Sequence, residues 1–167
     1  MKKAEIILAL IAIAAFIMQL FLVPLSTLTV LSLLLLSIIY YGFGFALFNG
    51  IRFRKIFKKE SYKEVNTGHI IIAVGAGIAL GSTVVGLMFI FQNWLGAGMM
   101  LLSALSILII VFIITLVLFL IYKSNVYARI LKRIFIIGGI AFLLSFYQTN
   151  RVILNPELHQ EAQKSKP

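Results

Sequence analysis

AGMMLLSALSILIIVFIITLVLFLIY, residues 97–122, runs for 26 positions without a charged side chain. At about 1.5 Å per residue a helix of that length exceeds the roughly 30 Å hydrocarbon core of a bilayer. A strand reading fails because the run does not alternate. In lipid every backbone N–H and C=O must also be satisfied within the segment itself. The charge-free tract extends outward from Val65 to Tyr122, and a second one covers Ile6 to Ile51. Over all 167 residues, 62% are apolar and 12% charged, with mean hydropathy +1.08. A soluble domain carries about a quarter charged residues, so this composition describes an integral membrane protein.

Four segments reach spanning length: Ala4–Val23, Leu28–Phe48, Ile70–Phe91 and Ala97–Tyr122. Pro24 and Ser26 separate the first pair, and Asn93, Trp94 and Gly96 the second. Such residues stop helices and make turns, which predicts two tight antiparallel hairpins. The opening Lys2-Lys3 before an apolar run has the outline of a signal peptide. Its 20 apolar residues exceed the usual h-region of roughly 7–15, and they are read as a first membrane helix. A fifth segment, Ile134–Tyr147, is short for a crossing. It either spans with Lys132 and Arg133 snorkelling, or lies on the surface or re-enters. The expected fold is therefore an all-α transmembrane bundle of two hairpins and a short fifth helix, residues 1–148, with a polar tail over 149–167.

Lys and Arg number 15 against 5 Glu and no Asp, a net charge of +10. Twelve of the 15 fall in the N-terminus, in the 49–69 loop and in the stretch Lys123–Arg133. The two turns between paired helices carry none. By the positive-inside rule this predicts a cytoplasmic N-terminus. Topology accounts for the charge excess, so no nucleic-acid partner is expected. In the 49–69 loop, Phe53, Ile56 and Phe57 share one helical face, with Arg52, Arg54, Lys55, Lys58 and Lys59 around them. That pattern predicts a segment lying on the cytoplasmic leaflet and held by anionic lipids. Docking of an acidic protein or a phosphoinositide-like head group is the sharper alternative.

Ala73, Gly77 and Gly81 recur every four residues in the third helix, and Gly42, Ala46 and Gly50 form a matching row in the second. Small residues at this spacing let helix backbones approach closely. The rows serve packing within one subunit, or a face for a homo-oligomer or another membrane subunit.

Catalytic chemistry has no candidate set. Cys is absent, two His and no Asp leave too few metal ligands, and no Ser/His/acid arrangement or phosphate loop is present. No catalytic, metal or cofactor residue is assigned, and no enzyme activity is expected. Ions and protons crossing a bilayer need ionisable partners inside it, and none is read within the spans. Glu5 is assigned to the interface beside Lys2 and Lys3, and His69 to the start of the third helix. Gln19 is the deepest strongly polar side chain. Ser32, Ser37, Ser82, Ser103, Ser106 and Thr115 are expected to bond back to their own helices. Trp94, Tyr40, Tyr41, Tyr122 and Tyr147 read as interfacial belt residues, with a deeper position as the alternative for Tyr40 and Tyr41.

An offset of 71 lays Val23-Pro24 on Trp94-Leu95 and Leu31-Ser32 on Leu102-Ser103, a weak parallel repeat. Lys3-Ala4-Glu5-Ile6-Ile7, the Val23-Pro24 turn, Leu31-Ser32-Leu33-Leu34-Leu35-Leu36 and Tyr40-Tyr41-Gly42-Phe43-Gly44 through Arg52 resemble the hairpin of GldL-related membrane proteins of Bacteroidota. The resemblance implies a multi-pass inner-membrane protein. The family's namesake, a gliding-motility protein, helps power type IX secretion as a proton-driven motor, in which intramembrane carboxylates handle protons. No buried Glu is read here, so motor activity is not expected to carry over. A structural or accessory subunit of an envelope complex is the expected role, with a small permease or channel for a neutral or apolar solute as the alternative.

Overall fold

In the computed structural model the described residues form five helices, and three of these are long and apolar enough to cross a membrane: Thr27–Asn49, Thr67–Phe91 and Ala97–Tyr122. The structure describes residues 2–20, 26–51, 56, 65–92, 94 and 96–154, leaving aside the side chains of 2, 16, 18–20, 26 and 147–154. The helices are α1 (Lys2–Leu20), α2 (Ser26–Asn49), α3 (Thr67–Phe91), α4 (Ala97–Tyr122) and α5 (Asn125–Leu154). The Arg52, Arg54, Lys55, Lys58 and Lys59 segment lies outside the described residues, as do the side chains of Gln19 and Tyr147. Ile56 is described, and its side chain is buried.

Local chemistry sets the helix ends. Gly50 takes a left-handed φ of +76°, and Ile51 N–H donates to the Ala46 carbonyl at 2.8 Å. That 6→1 bond closes α2 as a Schellman motif, in which an L side chain at position 50 would be strained. Asn66 Oδ1 accepts from Gly68 N–H at 2.9 Å and starts α3 three residues earlier than hydropathy alone indicates. Lys123 ends α4 with φ 47°, its N–H bonded to the Phe119 carbonyl.

The largest departure from the sequence expectation is α5. It begins at Asn125, not Ile134, and continues to Leu154, through the first residues of the expected polar tail. Ser124 Oγ accepts from Val126 N–H at 3.3 Å and caps the new start. No Pro or Gly interrupts the basic stretch that follows. Val126, Ile130, Ile134 and Ala141 are buried along one face, a helical periodicity that begins within the stretch read as a loop.

The two hairpins differ in their surroundings. α3 packs on α2, α4 and α5 and is the most buried of the three apolar spans, while α4 is the least buried. Leu102, Leu120 and Ile121 stand outward from α4, and Phe135, Phe142 and Leu143 from α5. Apolar surface of this extent matches hydrocarbon, not water.

The α2–α3 crossing is made by glycine. A Cβ on Gly77 would sit 2.5 Å from the Tyr40 carbonyl oxygen, and one on Gly44 would sit 2.8 Å from the Gly77 Cα. Ala73 and Ala46 are fully buried, and Gly81 lies under the Tyr41 ring. Gly42, expected in the α2 row, is instead exposed, with nothing within 4 Å of its Cβ position. The contact row on α2 passes through Tyr40 and Gly44, two residues out of phase with the row read from spacing. Gly86 makes the second crossing, against Leu101 of α4. Gly77→Ala should therefore destabilise the bundle by about 1–3 kcal/mol, the usual penalty of overpacking. Gly42→Ala should be neutral or slightly stabilising, about 0.5–1 kcal/mol from helix propensity. Thermal unfolding of both variants in the same detergent checks the contrast.

Candidate functional site

Alternating chain direction brings the start of α1, the end of α2 and the start of α5 to one end of the bundle. Glu5 from α1, Tyr40 from α2 and Arg133 from α5 meet there. Arg133 Nε donates to Glu5 Oε1 at 2.5 Å and Nη2 donates to Oε2 at 2.6 Å, a bidentate fork across 128 residues of sequence. Tyr40 Oη donates to the same Oε1 at 2.6 Å. Arg133 Nη1 reaches the Arg129 carbonyl at 3.3 Å. Both oxygens of the carboxylate and three donors of the guanidinium are thereby occupied.

The cluster is walled by aromatic rings. The guanidinium carbon lies 5.3 Å from the centroid of Phe48, within cation–π range. Phe48 in turn lies roughly parallel to Tyr40, with centroids 6.4 Å apart and planes 17° apart. Glu5 is 8% exposed and Tyr40 is 2% exposed. An unpaired ion in such a place costs several kcal/mol of desolvation, so each charge depends on the other for its presence. Arg suits the position better than Lys, because a planar fork matches both carboxylate oxygens at once.

Three sequence expectations are corrected here. Glu5 pairs with Arg133, and it is buried between helices instead of facing the surface. The bundle does hold a buried ionisable pair, beside the apolar span that contains Tyr40 and Phe48. Tyr40 is consequently a core residue and not a belt residue, whereas Tyr41 and Tyr122 are exposed. Separation in sequence hid the pair, and so did the reading of Lys123–Arg133 as a loop. Extending the Ile134 periodicity back through Ile130 to Val126 would have shown that Arg133 sits on a helix, three residues past a core position.

Most hydroxyls within the helices are satisfied locally. Ser32, Ser37, Thr83, Ser103, Ser106 and Thr115 donate to carbonyls three or four residues back, so their hydroxyls do not mark a pathway. Ser82 departs from that pattern: its Oγ is 2.8 Å from Tyr41 Oη, a cross-helix bond over Gly81. His69 packs edge-on against Tyr127, with centroids 5.1 Å apart, and Trp94 edge-on against Phe89 at 4.8 Å. Among the described residues no three His, Asp or Glu side chains gather as a metal site would require.

Comparison with protein-family models, with curated proteins and with solved structures gives no match for this chain.

Arg133→Met leaves Glu5 buried without its partner and should destabilise the fold by about 3–5 kcal/mol, while the Glu5→Met/Arg133→Met pair should recover most of that loss. Tyr40→Phe, which removes one hydrogen bond to a charged group, should cost about 1.5–3 kcal/mol. A double-mutant cycle on thermal unfolding in detergent measures all three.

Proposed function

We propose that this chain is a multi-pass protein of a bacterial cytoplasmic membrane that serves as a structural or accessory subunit of an envelope complex, without catalysis of its own. The observation that carries this reading is the closed Glu5–Arg133–Tyr40 cluster. Both carboxylate oxygens are engaged, Oε1 by Arg133 and Tyr40 together and Oε2 by Arg133. A carboxylate tied in this way to two other helices acts as a fastener. The buried Glu5 removes one reason for setting aside the proton chemistry of the GldL-related family, but its pairing with Arg133 supplies another.

Charge distribution supports the orientation. The segments at the Glu5 end, namely the N-terminus, the connection from α2 to α3 and Lys123–Arg133, hold 12 of the 15 Lys and Arg residues. By the positive-inside rule that end faces the cytoplasm. At 30 residues, α5 extends about 45 Å, enough for a fifth crossing that leaves the C-terminus outside. Arg52, Arg54, Lys55, Lys58 and Lys59 then lie on the anionic leaflet. The likeness of residues 3–7, 23–24, 31–36 and 40–52 to the GldL-related hairpin favours the inner membrane of a Bacteroidota cell. The broad apolar faces of α4 and α5 offer room for lipid, a second copy or other membrane subunits.

In mild detergent the intact chain should co-isolate, in a fixed ratio, with membrane proteins whose abundance falls when the chain is deleted. A strictly monomeric chain whose deletion changes no other membrane protein overturns the reading. Topology is checked separately with a reporter at Lys166, where an external signal is expected.

A further inference from the structure

We infer that the groove between α4, α5 and the end of α2 is a site for one anionic phospholipid, distinct from the general attraction of the basic loop for the membrane surface. The groove is open, with a volume of about 1270 Å³. That exceeds the roughly 300–1,000 Å³ of pockets for small ligands. Its two ends differ in chemistry. At the mouth stand Arg129 and Lys132 of α5, next to Asn49 and Gly50 where α2 stops. Farther in, the walls are Phe112 of α4 and Phe135 of α5. Phe135 lies ten residues beyond Asn125 and Phe112 ten before Tyr122, so the apolar walls reach about 15 Å inward from the helix ends.

Cations at the mouth and an apolar slot behind them match the two halves of a phospholipid, phosphate outward and acyl chain inward. Among the described residues neither cation is paired with an acid. The Glu5 carboxylate is taken by Arg133, whereas Arg129 donates its Nε–H to the Asn125 carbonyl at 3.2 Å and places Nη1 beside Gly50. Gly50 matters here, since a Cβ there would stand 3.0 Å from Arg129 Nη1 and crowd the guanidinium. Asn49 Nδ2 donates to the Phe45 carbonyl at 2.7 Å, which fixes that side chain at the edge of the groove. Two cations at the mouth suit a head group of net negative charge, such as phosphatidylglycerol. The site rests on the proposed placement of this end at the anionic leaflet. Its chemistry can be read in detergent, where leaflets do not exist, and orientation is read independently by the Lys166 reporter.

The full chain, purified in neutral detergent, is equilibrated with equal amounts of phosphatidylglycerol and phosphatidylcholine bearing identical acyl chains, and retained lipid is counted by native mass spectrometry. Retention of the anionic lipid should exceed that of the zwitterionic one by about tenfold or more, the scale expected of two cations near one phosphate. Arg129→Gln/Lys132→Gln should bring the ratio close to one with helical content unchanged. Location is read on a Trp94→Phe/Phe135→Trp chain, in which the native indole is replaced and the new one lies in the groove. Phosphatidylglycerol brominated on its acyl chains should quench that fluorescence at concentrations where brominated phosphatidylcholine does not. Equal retention of the two lipids, an unaltered ratio in the double variant, or equal quenching overturns the proposal. So does displacement of bound lipid by glycerol phosphate at matched concentration, which would make the site one for a soluble phosphate.

Discussion

A carboxylate and a guanidinium buried against one another hold this bundle in register. Glu5 and Arg133 are individually untenable in an apolar interior, and together they form a bidentate pair to which Tyr40 adds a third bond. The geometry can be satisfied only if α1, α2 and α5 arrive at one place. In a membrane this matters more than in water, because lipid tails are as apolar as leucine and burial alone does little to choose between helix arrangements. A directional, charge-assisted contact makes that choice. The cation–π contact with Phe48 and the stacking of Phe48 on Tyr40 extend the same constraint along α2.

Close backbone approach supplies the remaining order. Gly44 and Gly77 bring α2 and α3 together, and Gly86 does the same for α3 and α4, so α3 is gripped on two sides. With its small residues turned inward, α3 is the most buried of the three apolar spans, and α4 the least. The same division explains the groove. α5 leans on α3 and α4 through Ile130, Ile134 and Ala141, while Arg129, Lys132 and Phe135 line its open side, facing the end of α2 across space.

Much of this architecture is legible in the chain. The span Ala97–Tyr122 has the limits hydropathy gives it, and the second and third helices differ from their expected limits by three residues at most. Legibility fails where two signals compete. The basic stretch Lys123–Arg133 carries the charge pattern of a loop and the periodicity of a helix, and charge masks the periodicity. On α2 the glycine spacing points to Gly42, but the partner helix approaches over Gly44, because helix spacing alone leaves the phase of the contact face open. The buried pair left no local trace. Glu5 has lysines for neighbours in sequence, and nothing within α1 indicates a partner 128 residues away.

What the amino-acid sequence determined is the solvent of this protein, the number and approximate limits of its helices and the end at which its positive charge collects. These follow from summed hydropathy, turn residues and charge, all of which act over short stretches of chain. What only the tertiary structure decided is which faces meet: Glu5 with Arg133 and Tyr40, Gly44 with Gly77, and the open groove beside Arg129 and Lys132. Those depend on the rotation of each helix about its axis and on its neighbours. In an apolar medium that rotation is set by a few directional contacts between residues far apart in the chain.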